Sequence, residues 1–65
     1  MFFYLFARRN SRGRWWCQII PENRVYPSTL DRLRERRYKM VWDSARSEKA
    51  ARDYFENEVV RNDRI

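Results

Sequence analysis

The sequence predicts an α+β fold: a three-stranded, mostly antiparallel sheet in the order 2-1-3, with a long C-terminal helix packed on one face. Three observations predict it. Two short apolar runs, Phe2 to Ala7 and Trp15 to Ile20, flank a polar bend that holds the chain's only glycine, the pattern of a β-hairpin. Tyr38 to Asp43 alternates between a bulky side and a mixed side, as a third strand does. Ala51, Tyr54, Phe55 and Val59 then fall at i, i+3, i+4 and i+8, the buried stripe of a helix. The element order is β-β-α-β-α over a single domain, residues 1–65.

In the first strand Phe3, Leu5 and Ala7 point one way and Phe2, Tyr4 and Phe6 the other. Two apolar faces suit a central strand covered on both sides, or a strand with one face kept for a partner. The bend from Arg8 to Arg14 places Gly13 where a hairpin loop needs a positive φ. In the second strand Trp15, Cys17 and Ile19 share the face assigned to the core, and Trp16, Gln18 and Ile20 share the outer face. Pro21 ends that strand by removing a donor.

After a loop from Glu22 to Pro27, Ser28 or Thr29 is expected to cap a short helix that runs to about Arg37, with Asp31 in its first turn. Leu30 and Leu33 mark its buried edge. In the third strand Tyr38, Met40 and Trp42 make the bulky side, against Lys39, Val41 and Asp43. Asp43 or Ser44 caps the last helix, about Ala45 to Arg61. Glu48/Arg52, Lys49/Asp53 and Arg52/Glu56 are spaced for ion pairs along its solvent side. Asn62 to Ile65 is expected to fray.

Sixty-five residues make a small domain, which must be stabilised without the usual staples. One cysteine cannot form an internal disulfide, and with no histidine there is no Cys/His cluster for zinc. Eleven aromatic residues supply the bulk instead. The apolar run at the start is too short for a signal sequence or a membrane span, which implies a cytoplasmic protein. Met1 reads as the start of a complete small reading frame.

The net charge of +6 rests on thirteen Arg and two Lys. It is unevenly spread: residues 1–41 carry ten bases and three acids, residues 42–65 five bases and six acids. Such polarity bears on partners rather than on fold. Catalysis is not expected. No histidine is available for acid–base work, the carboxylates of the last helix sit beside Arg or Lys, and Cys17 lies mid-strand among Trp and Ile. A single glycine cannot build a phosphate-cradling loop. No cofactor or metal is implied.

Basic and aromatic residues interleave, which points to a binding surface. The expected contacts are Tyr4, Phe6, Trp16 and Tyr26 as aromatic anchors, with Arg12, Arg14, Arg34, Arg36 and Arg37 as charged contacts. Arg8, Arg9, Arg24, Arg32 and Lys39 add to the basic surface. It suits either an acidic protein surface or a phosphate backbone with Trp16 or Tyr26 as a stacking platform. Glu48, Asp53 and Glu56 form a candidate acidic strip on the last helix for imitating phosphate, much of whose charge the neighbouring Arg and Lys neutralise.

The segment from Val41 to Phe55, VWDSARSEKAARDYF, resembles the last strand and helix of phage integrase arm-type DNA-binding domains, which read DNA with a three-stranded sheet. Residues 21–37 are an insertion relative to that family. In character, as a tiny, histidine-free, Arg-rich α+β chain with surplus aromatics, the protein is similar to phage-encoded anti-CRISPR inhibitors of a type I system. That resemblance implies a non-enzymatic blocker of a host protein complex, with a CRISPR effector subunit as partner and a DNA-docking surface as target. The alternative is a small basic DNA- or RNA-binding protein. Either is compatible with a monomer or a weak homodimer through the outer aromatic face.

Overall fold

The structure, a computed structural model, describes residues 1–63; Arg64 and Ile65 lie outside the described residues. The chain forms β1 (Phe3–Arg9), β2 (Trp15–Pro21), a 3-10 turn (Glu22–Arg24), α1 (Pro27–Glu35), β3 (Lys39–Ala45) and α2 (Glu48–Tyr54), which continues as a π-helical segment (Phe55–Val60). The three strands make one antiparallel sheet in the order β2-β1-β3. With β1 in the middle, both of its faces need cover, and its two apolar faces meet that need.

The hairpin register sets the two faces. Leu5 lies opposite Ile19 and Ala7 opposite Cys17 on one side; Tyr4 lies opposite Ile20, Phe6 opposite Gln18 and Arg8 opposite Trp16 on the other. The loop that fixes this register is held by Asn10, whose side-chain oxygen accepts the backbone N–H groups of Arg12 and Arg14, each at 2.9 Å. Gly13 sits at φ 82°, the left-handed conformation that a residue without Cβ adopts without strain.

The core lies between the first face and the C-terminal helix. Leu5, Ala7, Ala45, Ala51, Phe55 and Val59 are buried there, with Phe3, Trp15, Cys17, Ile19, Val41, Trp42 and Tyr54 around them. Small Ala7, Ala45 and Ala51 admit the helix close to the sheet. Two aromatic contacts pin it down: Trp42 against Tyr54 at 4.7 Å between ring centroids, and Trp15 edge-on to Phe55 at 6.5 Å.

The third strand departs from simple alternation. Leu5 faces Trp42, but its neighbour Phe6 faces Met40, so Val41 is an extra residue; a second irregularity separates Trp42 from Ala45, which faces Phe3. These bulges put Val41 and Trp42 both against the core and send Met40 to the opposite face beside Phe6. The expectation that Tyr38, Met40 and Trp42 share one side is therefore corrected.

The C-terminal helix is also shorter than the spacing predicts. It begins at Glu48, because β1 holds the chain in the sheet through Ala45. Ser47, not Asp43 or Ser44, is the N-cap: its Oγ accepts the Ala50 N–H at 3.0 Å. Ser47→Ala is expected to cost about 1 kcal/mol in a urea titration. Of the pairs expected along this helix, Glu48/Arg52, Lys49/Asp53 and Arg52/Glu56, none closes to 4.0 Å. Of the stretch expected to fray, Asn62 and Asp63 are described and Arg64 and Ile65 lie outside the described residues. Arg9 lies over the Trp15 ring at 5.6 Å and contacts the Asp63 carboxylate at 2.6 Å.

Because β2 and β3 flank β1 and run parallel to each other, the connection between them must cross the sheet. α1 makes that crossing over the second face, away from α2. Its N-cap is Tyr26 with Pro27 in the first turn, rather than Ser28 or Thr29, since proline's fixed φ suits that position. Leu33 is its one buried residue.

Candidate binding surface

The second face of the sheet is where the sequence places its surplus aromatics, and α1 divides it. Leu30 and Leu33 of α1, Phe6 and Met40 of the sheet, and Tyr38 just before β3 line a groove of about 720 Å3, rimmed by the cations Arg34, Arg37 and Lys39. Phe6 is only 2% exposed, so it is the floor of this groove rather than a projecting anchor. The outer face thus has cover that the sequence alone did not reveal. Met40 stands in the groove wall at 53% exposure.

Two backbone features build the groove. The last turn of α1 ends with the Tyr38 N–H on the Leu33 carbonyl at 2.9 Å and the Arg37 N–H on the Arg34 carbonyl at 3.0 Å. This is a Schellman closure, and it requires a left-handed residue, usually glycine, at its turn. Here Arg37 occupies that position at φ 66°. Arg37→Gly is expected to stabilise the fold by about 1 kcal/mol, seen as a raised melting temperature.

The second feature is Arg8. Its guanidinium donates to the Arg36 carbonyl at 2.9 Å and lies over the Tyr38 ring at 5.7 Å. It thereby satisfies a carbonyl at the negative end of α1 and ties that end to the sheet. Arg8 and Arg9, which read in sequence as part of one basic bend, point to opposite faces and hold the two helices instead.

The expected contacts fall into separate groups. Phe6, Arg34 and Arg37 come together at the groove. Arg14 and Trp16 form a second patch, the guanidinium 4.8 Å from the ring centroid and the ring 44% exposed. Arg12 is exposed on the loop next to this patch. Tyr4 is half-buried and stacks on Phe6 at 6.3 Å. Tyr26 is exposed at the start of α1 and does not line the groove, and Arg36 is exposed at its end. Glu48, Asp53 and Glu56 are exposed on the helix over the other face. The charge asymmetry along the chain thus becomes an asymmetry across the sheet.

Leu30, Leu33, Tyr38 and Met40 line the groove but were not among the binding residues expected from the sequence. The helical spacing of Leu30 and Leu33 signals burial, but only the β3 bulge brings Met40 to them. On the core side, burial pushes the Cys17 thiol above its ordinary value; Arg52 opposes this and Glu56 adds to it. A thiol kept protonated near neutral pH is a poor nucleophile.

No protein-family model, curated protein or solved structure matches this chain. Among the described residues, no helix is long and apolar enough to cross a membrane.

Proposed function

We propose that this chain is a non-enzymatic protein that binds a nucleic-acid-handling protein complex of a bacterial host and acts by occupying it. The groove carries this reading. A concave apolar surface with a cationic rim suits side chains from a protein partner. The narrower form of the reading is a phage anti-CRISPR, at work in the host cytoplasm, that blocks target DNA binding by a type I effector complex. Its support is the resemblance in size and composition. The exposed acidic strip on the opposite face, Glu48, Asp53 and Glu56, adds a means of contacting a basic DNA-docking surface.

One observation favours a second reading, a small DNA- or RNA-binding protein. Arg14 and exposed Trp16 form a cationic, aromatic patch beside Arg12, the combination that grips single-stranded nucleic acid. The deciding experiment is a tagged pull-down from host lysate with and without nuclease. Capture of a defined protein complex that survives nuclease supports the inhibitor reading. Recovery of nuclease-sensitive material alone, with affinity that falls steeply with salt, overturns it in favour of the second.

A further inference from the structure

We propose that the groove between α1 and β3 is a docking site for an acidic peptide segment of the partner, one that inserts an apolar side chain between Asp or Glu residues. This rests on the protein-binding reading above and specifies its contact. The charge pattern selects the class. Among the described residues, Arg37 and Lys39 have no carboxylate within 4.0 Å and Arg34 has only Asp31 at that limit, so the rim presents cations that a ligand's carboxylates can meet. Above buried Phe6 and Leu33, the accessible apolar lining of Leu30, Tyr38 and Met40 takes an aliphatic or aromatic side chain.

The same geometry disfavours a nucleobase. Stacking requires an accessible ring face, but Phe6 is 2% exposed and Arg8 lies over Tyr38. Addition of the peptide as a fourth strand is disfavoured too. The two irregularities of β3 break the regular edge that such pairing needs. A side chain seated in the groove is the remaining mode.

Arg37 supplies an independent argument. The Schellman turn is best served by glycine, yet an arginine occupies it in the left-handed conformation and lines the groove. Strain of this kind at a surface residue points to a use for its side chain. A contact with ligand carboxylate is that use.

The test is selection of a random peptide display library on the full chain, with Met40→Glu selected in parallel. Met40 is 53% exposed, so the substitution places a repelling charge in the groove without touching the core. The expected result is enrichment of peptides with Asp or Glu within a few positions of a Leu, Phe or Trp, and loss of their binding on Met40→Glu. Arg37→Gly is expected to bind the selected peptide about tenfold more weakly while melting at a higher temperature, a split that a purely structural role does not produce. The proposal is overturned by no enrichment, by enriched peptides without acids, by equal binding to Met40→Glu, or by displacement of the selected peptide by a fatty acid or oligonucleotide. In the nuclease-treated pull-down, capture of one complex by both wild type and Met40→Glu overturns the groove contact alone. Capture of no complex by either overturns the protein-binding reading itself.

Discussion

Leu5→Ala is expected to leave the chain largely unfolded at room temperature. Leu5 has no exposed surface and sits at the centre of the middle strand, beneath the C-terminal helix. Truncating such a leucine removes its transfer energy and leaves a cavity, at a cost of roughly 2–5 kcal/mol. A chain of 65 residues has, by the usual per-residue scale, roughly 3–10 kcal/mol in total, and small domains fall toward the lower end. With no disulfide among its staples, the fold has little left to absorb the loss. Far-ultraviolet circular dichroism and urea titration measure the outcome. A cooperative transition displaced by less than about 1 kcal/mol would show that the helix does not press on Leu5 as described.

The second large effect is a contrast between two aromatic residues of the outer face. Phe6→Ala is expected to cost roughly 3–5 kcal/mol, because Phe6 is closed in beneath α1, and its loss empties the contact that holds that helix to the sheet. Trp16→Ala is expected to cost about 1 kcal/mol or less, because its ring is 44% exposed and its described ring contact is Arg14. The same variant is expected to weaken partner binding if the hairpin patch contributes to it. Urea midpoints for the two proteins, measured side by side, decide the matter. Equal losses would mean that α1 does not cover Phe6; an unfolded Trp16→Ala would remove Trp16 from the binding surface and make it core.

Much of the fold was legible because it depends on local patterns. The Gly13 loop, the facing of Cys17 with Trp15 and Ile19, and the stripe of Ala51, Tyr54, Phe55 and Val59 all follow from spacing and residue type. The strand order agrees with the two apolar faces of β1. Helix ends were less legible. Asp43 and Ser44 are good capping residues, yet hydrogen bonds to β1 keep that stretch extended as far as Ala45, and tertiary pairing outweighs local preference.

The binding surface was legible in composition but not in arrangement. Sequence alone determined that basic and aromatic residues exceed what a core this small requires, and that charge is polarised between the two parts of the chain. Only the tertiary structure decided where they meet. The bulge at Val41 turns Met40 away from Trp42, the crossing of α1 converts Phe6 from an exposed anchor into a groove floor, and the turn at Arg37 brings its side chain to the rim. The first and last of these depend on a backbone irregularity, the second on the crossover connection. Alternation in a sequence predicts regular strands, whereas an inserted residue or a left-handed turn is set by the long-range contacts it must satisfy.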